Sequence, residues 1–228
     1  MKKWLFLLVS ILIASGCSNT PKESTAPTAA KKEYHEGLQY HRIEPAQPTK
    51  SGDDRVEVVE LFFYACPHCY ELESKIREWL KDKPEYVDFR RIPAIVGPTW
   101  GEQAKMFYIA EKLDILDKTH EALFKSIHED GKQYYNEHAV VTFFVNQGVE
   151  PQTVFDLFRS QEITDKASQA RVMTVKYGLR GVPAMVVNGK YKTAPYFVRN
   201  QEEMIEVVDM LVEKERAELT KSSRPAAK

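Results

Sequence analysis

The apolar positions change period several times along the chain, and each change marks an element. Leu38 to Ile43 alternates apolar and polar residues, which predicts a half-buried strand that Pro45 and Pro48 end. After the turn Ser51-Gly52-Asp53-Asp54, Val56 to Tyr64 is almost continuously apolar, which predicts a central parallel strand covered on both faces. Pro67 to Lys81 switches to helical spacing. Cys69, Leu72, Ile76, Trp79 and Leu80 form the apolar stripe, and Glu71, Glu73, Lys75, Arg77 and Glu78 take the other face. Pro67 suits the first helical position, and Lys83-Pro84 closes the helix. Tyr86 to Pro93 predicts the next strand.

From Trp100 to Leu179 the pattern is helical throughout. Segments are expected over Gln103–Leu113, Thr119–Ile127 and Glu137–Asn146, with one or two more between Thr153 and Tyr177. A block of about 80 residues is too long for a loop, so it reads as an insertion. Strand character returns at Gly181–Val187, Asn188-Gly189 predicts a tight hairpin turn, and Lys190–Thr193 pairs back. Asn200–Leu219 is a last amphipathic helix, followed by a polar tail. The predicted fold class is α/β, a mixed sheet interrupted by an all-helical domain. The segments are 36–97 and 180–219 for the sheet domain, 98–179 for the insertion and 220–228 for the tail.

The N-terminus follows different rules. Lys2 and Lys3 precede the apolar run Trp4–Ala14, which is too short to span a bilayer, and small residues lead to Cys17. Residues 1–16 have the layout of a secretory signal, and Ala14-Ser15-Gly16-Cys17 resembles a bacterial lipobox with Cys17 as the lipidated residue. An ordinary signal peptide with a chance cysteine is the alternative. Residues 17–35 comprise the lipidated end and a tether, since 18–34 hold almost nothing large and apolar. Such a coil spans about 20–25 Å. Ser18 after the cysteine hints at the outer membrane, without excluding the inner one.

Charge adds little. With 32 basic and 33 acidic residues, no basic excess points to nucleic acid. Loss of residues 1–16 leaves 30 against 33, a formal charge of −3.

The chemistry is concentrated in two of the three cysteines. Cys66-Pro67-His68-Cys69 lies where a buried strand hands over to a helix, the setting of a thioredoxin-like redox pair. Cys66, at the helix N-terminus, is favoured as a thiolate by the helix dipole, by the free N–H groups of His68 and Cys69, and by His68 when protonated. Cys69 lies one turn inward on the apolar stripe. Cys66 is therefore the expected nucleophile, Cys69 its partner and His68 the tuner. A stabilised thiolate makes the disulfide an oxidant. Half of a zinc site and a structural disulfide are the other uses of such a pair. Zinc needs two more ligands, and His35, His41, His120, His128 and His138 are scattered like surface or satisfied core histidines. A disulfide closing so short a loop gains little loop entropy. Glu60 is an acid inside the central strand, either a paired core carboxylate or a functional group.

Together, Glu60-Leu-Phe-Phe-Tyr-Ala-Cys-Pro-His-Cys-Tyr70 and Leu179-Arg-Gly-Val-Pro-Ala-Met-Val-Val-Asn-Gly-Lys-Tyr191 resemble the DsbA family of bacterial thiol:disulfide oxidoreductases, over about residues 36–215. The resemblance implies a thioredoxin fold with a helical insertion and no cofactor. It implies a cis bond before Pro183, with Val182 offering its backbone to an extended substrate strand. It makes Glu60 the buried acid, with Arg90 as its expected partner where the family often has lysine. The hydrophobic substrate groove maps onto Ile76, Ile95, Val96 and Pro195. Implied partners are reduced, unfolded secreted proteins and a quinone-linked membrane reoxidant of the DsbB type. The expected protein is a periplasmic, lipid-anchored, monomeric dithiol oxidase. An isomerase or reductase of the same fold, and a peptide-binding lipoprotein chaperone, remain as alternatives.

Overall fold

In the computed structural model, which describes residues 32–222, the chain is organised around β2, Val56–Phe62. All seven of its residues are buried. It pairs in parallel with β3, Val87–Pro93, and antiparallel with β4, Ala184–Val187. Beyond β4 lie β5, Tyr191–Thr193, and the short β1, His41–Arg42, so the sheet order is β1-β5-β4-β2-β3. A continuous run of Val, Leu and Phe suits such a strand, because β2 has neighbours on both edges and layers on both faces.

Helix α1, Pro67–Asp82, follows β2, and α7, Gln201–Ser222, lies beside it. Leu72, Ile76 and Trp79 of α1 pack with Met204, Val207, Val208 and Leu211 of α7 over Val56 and Val58. A fully buried Leu or Ile of this kind contributes roughly 1.5–3 kcal/mol. On the opposite face, Val59, Leu61 and Val186 meet Ala170 and Tyr177 from the insertion.

The insertion consists of α2 (Gly101–Lys112), α3 (Leu116–His128), α4 (Glu137–Asn146), α5 (Pro151–Arg159) and α6 (Gln161–Lys176). The stretch from Thr153 to Tyr177 is two helices because Ser160 both ends α5 and caps α6, accepting from the Ile163 N–H at 3.2 Å. Its core, including Phe107, Leu123, Phe124 and Phe144, runs on through Phe62, Tyr64 and Cys69 of the sheet domain.

Two expectations are corrected at the N-terminal side. The strand expected over Leu38–Ile43 shrinks to His41–Arg42, because Gly37 at φ 87° turns the chain and leaves Leu38 exposed. Tyr34, read as tether, belongs to the compact unit, packing against the α1–α7 core and donating its hydroxyl to Glu206. Cys17 lies outside the described residues, as do the signal segment and most of the tether.

Candidate active site

Cys66 is the N-cap of α1, with extended backbone (φ −87°, ψ 116°) and Pro67 at the first helical position. Its carbonyl accepts from the N–H groups of Cys69 and Tyr70, both at 3.1 Å. Both thiols are free, Cys66 partly exposed and Cys69 fully buried. The two sulfurs are pushed in opposite directions. Cys66 is lowered from an ordinary 9.0 to about 6, first by a hydrogen bond from the Cys69 thiol, then, against the cost of burial, by the Cys69 and His68 N–H groups, and least by the His68 charge. Cys69 is pushed well up by burial, then by its bond to Cys66. The Cys69 thiol is therefore the largest single influence on Cys66, added to the helix-terminus N–H groups and His68. His68 acts weakly because it stands in solvent, with Nδ1 3.1 Å from Glu71. Its carbonyl accepts from Gln201 Nε2 at 2.8 Å.

Opposite the pair, the Val182–Pro183 peptide bond is cis. The Cys66 thiol donates to the Val182 carbonyl at 3.5 Å. The structure thus brings Cys66, Cys69, His68, Val182 and Pro183 to one place, although 116 positions separate Cys66 from Val182.

The expected Glu60–Arg90 pair does not form. In the β2–β3 register Glu60 lies opposite Arg91, whereas Arg90 lies opposite Val59. One residue along a strand reverses the face, so Arg90 points to the α6 side, where its Nε donates to Glu57 at 2.8 Å. Arg91 shares the α1 side with Glu60, donating Nε to Glu60 at 2.9 Å and a terminal nitrogen to Glu73 at 3.0 Å. Glu73, placed on the solvent face by helical spacing, is 5% exposed and also accepts from His120 Nε2 at 3.2 Å. His120 in turn accepts the Tyr64 hydroxyl at 2.8 Å. Burial, and then the Glu73 charge, push Glu60 up to about 8. Burial works the same way on Glu73, but His120 and Arg91 outweigh it and hold Glu73 below its ordinary value.

The predicted groove is also corrected. Ile76 is fully enclosed between α1, α7 and the sheet, and Ile95 is 7% exposed against Ala104 and Ala167, so neither lines a surface. Val96 is exposed. Pro195 lines a hollow of about 320 Å³ with His68, Lys75, Arg199 and Gln201. A larger hollow of about 870 Å³, between β3, α2 and α6, is lined by neither cysteine.

The insertion holds the turn that leads into Cys66. The Ala65 N–H donates to Gln103 of α2 at 3.1 Å, and His128 of α3 donates to the Tyr64 carbonyl at 2.7 Å. Tyr70 stacks on His128 at 4.9 Å, and Phe63 on Trp100 at 3.9 Å. Sequence reasoning missed Gln103, His120 and His128. A stripe at 120, 124 and 128 on one helix was the available signal, at the spacing that aligns side chains along a face.

Comparison with known proteins agrees with this geometry. Residues 57–204 match the DSBA-like thioredoxin domain. The thiol:disulfide interchange protein DsbA of Azotobacter vinelandii is 36% identical over 198 residues, which is 87% of this chain and 90% of that protein. The DsbA of Burkholderia cepacia is 32% identical over 213 residues, 93% of this chain and 96% of its own length. The crystal structure of Pseudomonas aeruginosa DsbA superposes with a TM-score of 0.77 at 33% identity, covering 82% of this chain and 97% of that one. With its free Cys66–Cys69 pair set against the cis-Pro183 loop, the chain belongs to the DsbA family of thiol:disulfide interchange proteins.

Proposed function

We propose that this chain is a lipid-anchored periplasmic oxidase that gives its Cys66–Cys69 disulfide to reduced, unfolded secreted proteins. The observation that carries this reading is the asymmetry of the pair: a partly exposed, acidic Cys66 over a buried, weakly acidic Cys69. A substrate thiolate attacks Cys66, the better placed sulfur. The Cys66–Cys69 bond breaks and Cys69 leaves with the electron pair. Because a Cys69 thiolate is costly in its buried site, it takes up a proton as it forms. Glu60, buried and raised to about 8, is protonated at neutral pH, and it lies within electrostatic reach of the Cys69 thiol, which its ionised form would push up, so it is the donor we assign. A second substrate thiolate attacks the substrate sulfur of the mixed disulfide and releases Cys66 as a thiolate. The substrate is oxidised by two electrons and the pair is left as a Cys66 thiolate and a Cys69 thiol. A quinone-linked membrane protein of the DsbB type then takes those electrons.

Substrate backbone is read by the Val182 carbonyl, which already faces the Cys66 sulfur. The exposed Val96 and the hollow beside His68 and Pro195 receive the side chains. The signal layout and Cys17 support the anchor. Among the described residues no helix is long and apolar enough to cross a membrane.

The test is equilibration with glutathione. A potential well above that of thioredoxin, about −270 mV, is expected; a value at or below it would replace oxidase with reductase.

A further inference from the structure

Beneath the cysteines, two buried carboxylates share one guanidinium. Arg91 reaches both Glu60 and Glu73, and it supplies one positive charge for two acids. An isolated buried negative charge is costly, so one of the two carboxyls holds a proton. The donor count decides which. Glu73 receives His120 Nε2–H on one oxygen and Arg91 on the other. Glu60 receives only the Arg91 Nε–H, and its second oxygen, Oε1, is buried with no hydrogen-bond partner.

His120 tips that balance, and its tautomer is set by the structure. The buried Tyr64 hydroxyl donates to Nδ1, leaving the ring proton on Nε2, where it meets Glu73. Burial lowers the proton affinity of the imidazole, so its first contribution to Glu73 is the directed N–H, ahead of its charge. We propose that His120, brought in by the helical insertion, is a positioning residue for the exchange reaction: by holding Glu73 ionised it leaves Glu60 as the proton-carrying carboxyl of the redox site. This rests on disulfide exchange at Cys66–Cys69.

Among the described residues, Arg91 and, less strongly, Arg77 also favour ionised Glu73, but only His120 does so without serving Glu60 or standing at the rim. From β4, Met185 lies opposite Glu60 and is uncharged. From α7, the residues in this core are Met204, Val207 and Val208. Arg77 and Glu121 pair at 3.4 Å on the exposed rim, and Asp117 acts on His120 only weakly. The insertion, then, is electrically part of the redox site. Loss of His120 Nε2–H raises the proton affinity of Glu73. Once Glu73 is neutral it no longer repels a charge on Glu60, and Arg91 serves Glu60 alone. The proton moves from Glu60 to Glu73, and Cys69 loses its donor.

The experiment follows the Glu60 carboxyl by carbon-13 NMR across pH in the full-length protein, together with the pH profile of attack by a small thiol on the oxidised pair. In the unaltered protein Glu60 is expected to hold its proton at neutral pH, and the exchange rate to fall on the alkaline side with the Glu60 titration. In His120→Leu both move down by about one pH unit or more, while the Glu73 titration moves up. His120→Gln, which can still donate to Glu73, restores the original profile. If His120→Leu does not fold, Glu73→Gln removes the competing charge in nearly the same shape and is expected to lower the Glu60 titration likewise. Glu60 ionised at neutral pH in the unaltered protein, or an unmoved Glu60 titration in either variant, overturns the proposal. An unaltered protein without exchange activity would sink the oxidase reading instead, and the carboxyl titration would still judge the proton's location.

Discussion

Cys66 and Cys69 sit one turn apart, yet burial of one sulfur, the bond between the two and the N–H groups of Cys69 and His68 separate their acidities. Cys66 has a lowered value in the folded chain, so its contribution to the stability of the reduced form is fully present above the unfolded value of 9.0 and is lost as pH falls through about 6. At pH 7 the thiolate is favoured by about one decade, at most about 1.4 kcal/mol or 30 mV towards oxidising strength, since water screens a partly open sulfur. Thiolate absorbance of the reduced protein should therefore titrate with a midpoint near pH 6. Cys66→Ser should abolish exchange, and Cys69→Ser should accumulate mixed disulfides with substrates, visible on non-reducing gels. Glu60 carries the opposite sign. Its folded value is raised, so its contribution is complete below the ordinary 4.5 and is lost as pH rises through about 8. Glu60→Gln, which cannot ionise, should therefore be more stable than the unaltered chain at pH 9 by roughly 2–4 kcal/mol in urea unfolding, with the advantage shrinking towards pH 5.

At the scale of elements, helix α1 and strand β2 were readable because the apolar period carries them directly. Periodicity could not distinguish a polar side chain in solvent from one in a buried network. Glu73 was placed on the open face of α1, yet α3 packs over that face and encloses it. Arg90 and Arg91 are adjacent in sequence and equal in chemistry, and only the register between two strands decides which meets Glu60. Helical spacing puts Ile76 on the buried stripe, and the groove role came only from the family resemblance; the docking of α7 on α1 encloses it. The Asn188-Gly189 turn was readable, and its glycine is required twice over. Gly189 has φ 63°, and a Cβ there would lie 2.0 Å from the Gln47 carbonyl oxygen. Gly189→Ala should cost about 1–3 kcal/mol, measured as a lower urea midpoint with the Cys66 titration unmoved.

Over the whole molecule, one compact unit from Tyr34 onward joins the redox pair to an insertion that grips its turn through Gln103, His128 and Trp100. The N-terminal features act at this scale too. If Cys17 carries lipid, Cys17→Ser should move the protein from the membrane fraction to the soluble periplasmic extract and leave its potential against glutathione unchanged, because the anchor precedes the tether and the pair lies within the folded unit.

Composition, period and spacing alone determined the strand–helix junction, the position of the two cysteines on it, the helical character of the insertion and the hairpin turn. These depend on contacts between residues close in the chain, where geometry follows from the identity of neighbours. The partner of Glu60, the burial of Glu73, the tautomer of His120 and the approach of the Val182 carbonyl to Cys66 were decided only by tertiary structure. Each joins residues from different elements, so each depends on register and docking, and a displacement of one residue along a strand sends a side chain to the other face of the sheet.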